Sequence, residues 1–191
     1  FVPGGAPTPQ ASPTRTRTPT PNVTSGPSKS WVRTIGGALD EEAVDVAQTS
    51  DGGYVVTGYT KSFGAGDEDV WVVPATGGVK PTALTNDGSA DLMPCWARDN
   101  SIYFVSNRAG SPQIYVMNAD GSAPRRVTFQ GNYNQTPQWS PRGDLIAFTA
   151  RDERKVFDIF VVSPDGGKIA RVTQNQGATN EEPSWAPNGR L

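Results

Sequence analysis

Pro94-Cys95-Trp96-Ala97 returns as Pro137-Gln138-Trp139-Ser140 and again as Pro183-Ser184-Trp185-Ala186, at tryptophan spacings of 43 and then 46 residues. Self-similarity at a period of 40 to 50 residues marks a repeat architecture in which each copy is one supersecondary unit. The match continues past the tryptophans. Twelve residues after Trp96 stands Arg108, and twelve after Trp139 stands Arg151, with no gap introduced. Between them Ile102-Tyr103-Phe104-Val105 aligns with Leu145-Ile146-Ala147-Phe148. A third run, Ile114-Tyr115-Val116-Met117, aligns with Ile159-Phe160-Val161-Val162 after a two-residue loop insertion. From there to Thr128 and to Thr173 the offset is the same fourteen residues.

Each unit reads as four short strands, at 92–96, 102–106, 113–118 and 125–128, then 136–139, 145–149, 158–163 and 169–173. Asp99-Asn100 and Arg142-Gly143 close the first hairpins, and Asp120-Gly121 and Asp165-Gly166-Gly167 the last, where φ > 0 is needed. The third strands are apolar at every alternate position, so both of their faces are covered. Sheets stacked face to face around an axis provide that cover. A degenerate copy precedes these units. Thr49-Ser50-Asp51-Gly52-Gly53 stands in place of the tryptophan turn, followed by Tyr54–Gly58, Asp69–Val73, a Thr76-Gly77-Gly78 turn and Ala83-Leu84-Thr85. Trp31–Ile35 reads as one further strand. The fold expected is all-β: a β-propeller fragment of about three four-stranded antiparallel blades, with partial strands at both ends.

The units from Pro94 to Thr128 and from Pro137 to Thr173 resemble TolB-type propeller repeats, over roughly residues 84–191. Residues 31–73, with Gly36-Gly37 and Asp51-Gly52-Gly53-Tyr54, look more like a second repeat style of bacterial surface propellers. The resemblance implies protein recognition, with a peptidoglycan-associated lipoprotein or another envelope protein docked. The Pro/Thr-rich stretch at the start reads as a spacer for a module outside the cytoplasm, in the periplasm or at the cell surface. The resemblance does not extend to a small α/β domain ahead of the propeller, where a linker stands instead. Two alternatives share the fold: the accessory propeller of a prolyl-oligopeptidase-type peptidase, and the sensor region of a membrane kinase.

Composition agrees with many short strands and tight turns: 35 % hydrophobic residues, 21 Gly and 17 Pro. Residues 1–30 hold seven of those prolines among Thr and Ser, and read as a disordered, extended linker ahead of a partial propeller at 31–191. A net charge of −2 gives no pull toward nucleic acid, and no apolar run approaches the roughly 18 residues that insert in a membrane. The chain starts at Phe1 and stops at Leu191, where a fourth unit is entering its second strand. It therefore reads as a piece of a longer product, with the remaining blades supplied by missing sequence. Bare terminal faces, with Phe104, Tyr115 or Phe160 on them, are expected to make the piece self-associate.

The chemistry-bearing motifs are few. Histidine is absent, which rules out Ser-His-Asp and Cys-His catalysis and His-ligated metal within this chain. Cys95 is the one cysteine and lies between apolar neighbours, as a small buried hydrophobe does. Asp67-Glu68-Asp69 fails calcium-loop spacing, because Val72 and Gly78 stand at what would be loop positions six and twelve. No enzyme, cofactor or metal site is expected. What remains is a surface. In propellers the loops between strands two and three and between blades gather on one face, and here they carry Arg108, Tyr133, Asn134, Arg151, Asp152 and Arg154. Arg and Tyr suit protein contacts, so these six are the candidate partner-binding residues. The competing reading is that Arg108 and Arg151 repeat because each braces its own blade.

Overall fold

The computed structural model describes residues 38–48, 54–62, 64, 68–74, 81–151, 153, 155–174 and 178–191. The expected linker at 1–30, the strand at Trp31–Ile35 and the Thr76-Gly77-Gly78 turn lie outside them. Three four-stranded antiparallel meanders follow one another. The first contains β1 (Glu41–Gln48), β2 (Tyr54–Thr60), β3 (Asp69–Pro74) and β4 (Thr82–Ala83). The second contains β5 (Asp91–Trp96), β6 (Ser101–Ser106), β7 (Gln113–Asn118) and β8 (Arg125–Arg126). The third contains β9 (Asn134–Trp139), β10 (Ile146–Arg151), β11 (Phe157–Val162) and β12 (Ile169–Arg171). The last two units fall where the repeat places them. Strand β1 was not anticipated: it carries neither the Pro nor the Trp of the later first strands, and most of it is exposed.

Register corrects one alignment. Ala97 N–H donates to Ser101 O and closes the β5–β6 turn, whereas Ser140 N–H reaches Leu145 O, one residue further along the chain. The β9–β10 turn thus holds one extra residue, and β10 slides by one relative to the ungapped match. Ile146, not Leu145, pairs with the tryptophan strand as Ile102 does, and Phe148 occupies the place of Phe104. The backbone agrees at the far end of the strand. Lys61, Asn107 and Arg151 donate equivalent N–H bonds, to Asp40 O, Ala90 O and Tyr133 O. Arg151 is therefore the counterpart of Asn107 and Lys61, and Arg108 has no arginine counterpart in the third sheet.

Two apolar layers separate the sheets. Val70 from the first sheet packs with Ile102, Phe104, Tyr115 and Met117 of the second. The other face of the second sheet, Tyr103, Val105, Ile114 and Val116, packs with Ile146, Phe148, Ala150 and Val162 of the third. Phe104 and Tyr115 are thus buried against the first sheet, not left bare as expected, and Phe160 is half-buried. Each fully buried Phe or Ile contributes about 1.5–3 kcal/mol relative to exposure. Trp139 closes the second layer by stacking on Tyr103, with ring centroids 5.3 Å apart. Trp96 likewise packs against the first layer.

A polar clamp recurs between sheets. Thr128 Oγ1 donates to Gln113 Oε1 at 2.9 Å and accepts Ile114 N–H at 2.9 Å, while Asn134 Nδ2 reaches the same Gln113 oxygen at 2.8 Å. One sheet later Thr173 donates to Asp158 Oδ1 at 2.8 Å, accepts Ile159 N–H at 2.9 Å, and Asn180 Nδ2 joins at 3.0 Å. Thr85, Asp69 and Val70 repeat the first two bonds, and there Asp91 replaces the asparagine. The fourteen-residue offset from Ile114 to Thr128 and from Ile159 to Thr173 is the sequence trace of this clamp, and in the first sheet the offset from Val70 to Thr85 is fifteen.

The first strands share a bulge. Met93 (φ 51°), Thr136 (φ 51°) and Glu182 (φ 56°) are left-handed, and each precedes a proline. In β5 and β9 the pair Met93-Pro94 or Thr136-Pro137 stands opposite a single residue of the neighbouring strand. Proline has no N–H to offer the ladder, so the bulge leaves it where none is required. For β-branched Thr136 this conformation costs on the order of 1–3 kcal/mol. Its hydroxyl donates to Thr149 Oγ1 at 2.8 Å, which helps hold it there.

Candidate partner-binding face

The loops after the second strands hydrogen-bond to the segments entering the first strands. Beyond the three bonds from Lys61, Asn107 and Arg151, Asp91 N–H donates to Glu68 O, Asn134 N–H to Pro112 O and Asn180 N–H to Phe157 O. These contacts draw both loop types together on one face, as propeller geometry requires. Asp152 and Arg154 lie outside the described residues.

The other four candidates fall into two pairs. Arg108 is a brace. Its Nε donates to Ser106 Oγ at 2.8 Å, and one terminal nitrogen reaches both oxygens of Asp91, at 3.2 and 3.0 Å. The same nitrogen lies 2.9 Å from Asp87, and the guanidinium sits over the Phe104 and Tyr115 rings. Burial pushes the Asp91 carboxyl above its ordinary range, against the pull of Ser106, Arg108 and Thr85. Arg108 is one of the partners that counter the cost of burying this carboxylate. Asn134 belongs to the clamp and is buried.

Tyr133 and Arg151 form the second pair. The Arg151 guanidinium lies over the Tyr133 ring, 5.5 Å from its centroid, and that ring meets Phe157 edge-on at 5.6 Å. All three side chains are half-buried. Among the described residues no hydrogen bond or ion pair engages this guanidinium, and its Nε is buried without a partner. The brace reading paired Arg151 with Arg108 because both stand twelve residues after a tryptophan, but strand pairing makes Arg151 the counterpart of Asn107.

A second concavity lies by the first strands, at the turns that follow β5 and β9, and includes Asp45, Cys95, Arg98, Gln138 and Trp139. Asp45 and Cys95 occupy equivalent strand positions and do equivalent work. Trp96 N–H donates to Asp45 Oδ2 at 2.8 Å, and Trp139 N–H to Cys95 Sγ at 3.2 Å. Burial pushes the Cys95 thiol up to about 12, so at neutral pH it is a protonated packing and hydrogen-bonding group. Among the described residues no helix is long and apolar enough to cross a membrane.

Comparison with known proteins bears on the whole array. Residues 46–191 match the family model described as the TolB beta propeller domain. A Tol-Pal system protein TolB from Myxococcus xanthus is 76 % identical over 42 residues, which is 22 % of this chain and 10 % of that protein. A solved TolB-type chain from Agrobacterium tumefaciens superposes with a TM-score of 0.64 at 26 % identity, over 81 % of this chain and 54 % of that one. A puromycin-hydrolysing peptidase of Mycobacterium tuberculosis shares the fold, with a TM-score of 0.53 at 17 % identity, over 73 % of this chain and 23 % of its own. The chain therefore spans little more than half of the Agrobacterium structure and a tenth of the Myxococcus protein. With a family model covering most of its length and a blade order that agrees, the chain belongs to the TolB beta-propeller family.

Proposed function

We propose that this chain is a non-catalytic recognition module that works outside the cytoplasm and docks a protein of the cell envelope. The observation that carries the reading is the Tyr133–Arg151–Phe157 cluster on the loop face. Tyr and Arg dominate the binding energy of protein interfaces, because each presents a large rigid surface and a polar tip. The family supports the same direction, since the Myxococcus relative is named for the Tol-Pal system.

The test is calorimetric titration of the full-length protein with the peptidoglycan-associated lipoprotein of its own organism. Binding that weakens about tenfold or more in Tyr133→Ala, at unchanged thermal stability, supports the reading. Absence of binding at high micromolar concentration contradicts this choice of partner. A second reading, an accessory propeller beside a peptidase domain, draws on the fold shared with the mycobacterial peptidase. Cleavage of fluorogenic peptides by the purified full-length protein would favour it.

A further inference from the structure

We infer that Arg151 and Asn134 form a subsite for a carboxylate-bearing peptide, a proposal that deepens the recognition reading and rests on it. Two other cations of the loop face already hold carboxylates. Arg108 holds Asp87 and Asp91, and Lys61, the counterpart of Arg151 in the first sheet, lies 3.5 Å from Glu68. Beside Arg151 the residue at the Asp91 position is Asn134, which brings no charge. The exchange leaves two buried polar atoms without partners, Arg151 Nε and Asn134 Oδ1. Asn134 is 1 % exposed, with both Nδ2 bonds spent inside the protein, on Gln113 and on Gln130 O.

Both residues line one concavity, with Gly131, Phe160, Ile169 and Arg171 around it. Gly131 is left-handed (φ +74°) and has no side chain over the amide, and a Cβ there would stand only 3.4 Å from Asn134 Oδ1. The unsatisfied set is one cationic donor and one neutral acceptor. A peptide supplies the complement of both: a carboxylate for the guanidinium fork and an N–H for the amide oxygen. Phe160 and Ile169 offer apolar surface to the methylenes of such a ligand. A dianionic phosphate fits less well, because Arg171 is engaged by Asp158 and Glu153 adds negative charge at the same concavity. The carboxylate comes from an acidic side chain or from a chain terminus.

The experiment is a titration of the 15N-labelled full-length protein, read at the Arg151 Nε–Hε resonance. The probes are N-acetylglutamate N-methylamide for a side-chain carboxylate, N-acetylglycine for a terminal one, and inorganic phosphate. The expected result is a saturable displacement with one or both carboxylates, weaker by about tenfold or more in Arg151→Gln. Arg151→Lys, which keeps the charge and loses the fork, is expected to fall between. The more effective carboxylate names the source. No displacement, displacement by phosphate alone, or equal affinity in Arg151→Gln and Arg151→Lys overturns the proposal. Lipoprotein binding that persists in Arg151→Gln, with no carboxylate response in the wild type, sinks the subsite and leaves the recognition reading intact. A carboxylate response without lipoprotein binding supports the subsite and removes that partner.

Discussion

Asn134 donates its side-chain amide to Gln113 Oε1 across 2.8 Å, tying the first strand of the third sheet to the third strand of the second. The bond is buried, and Thr128 shares its acceptor. Stacked sheets gain area from their apolar faces, but area alone does not fix how one sheet rotates on the next. A directional bond at the same corner of each contact does. Asn180 with Asp158 repeats it in the third sheet.

Removing a clamp is expected to loosen one contact rather than unfold every sheet equally. Thr128→Val keeps the volume but strips a hydroxyl that both donates to Gln113 and accepts from Ile114. A loss of about 1–3 kcal/mol is expected from urea unfolding, because buried partners are left unsatisfied.

The Asp158 clamp should be acid-sensitive. Burial raises its carboxyl, but hydrogen bonds from Thr173, Arg171 and Asn180 outweigh that and hold it below the ordinary value. A carboxyl lowered on folding stabilises the fold above its unfolded pKa of about 3.9, and that contribution is lost as pH falls through the folded value. Urea midpoints measured from neutral pH down to about pH 3 should fall less steeply in Asp158→Asn than in the wild type. Equal slopes would contradict the assignment.

Cys95 should report opening of the first strands, β5 and β9. With its thiol buried and pushed up to about 12, it is expected to resist a thiol-reactive reagent at neutral pH. Its labelling rate should rise in step with denaturant, as for a group exposed only in the opened state. Rapid stoichiometric labelling of the native protein would show the strand contact to be wrong.

The tight turns are not equal. A Cβ on Gly166 (φ +80°) would stand 2.5 Å from Val127 O, a backbone atom of the preceding sheet, whereas one on Gly110 (φ +88°) meets nothing. Gly110→Ala is expected to cost only the left-handed penalty, about 1–2 kcal/mol. Gly166→Ala adds a clash with backbone that cannot move alone, so its melting temperature should drop further. Matching shifts would mean that the sheets do not abut there.

The repeat, the strand number and the turn chemistry were legible in the sequence because each depends on local pattern. Trp96 and Trp139, the left-handed Asn100 and Gly143, and Thr128 and Thr173 all stand where the repeat puts them. The roles of Arg108 and Arg151 were not legible. Their shared distance from tryptophan hides one extra residue in the Ser140–Leu145 turn, and only strand pairing reveals that the two extra residues ahead of β11 are divided between that turn and the next loop. Strand β1 escaped notice for a related reason: a strand with mostly exposed residues shows no apolar alternation, so only its pairing with β2 identifies it.

The proposed docking of an envelope protein runs through Tyr133 and Arg151 on the loop face. Amide hydrogen exchange of the full-length protein, with and without its peptidoglycan-associated lipoprotein, tests it most directly. Slower exchange in residues 129–135 and at Arg151, with the 97–101 and 140–145 turns unchanged, is the predicted result. Protection confined to those turns would place the partner at the Cys95–Trp139 concavity and contradict the account.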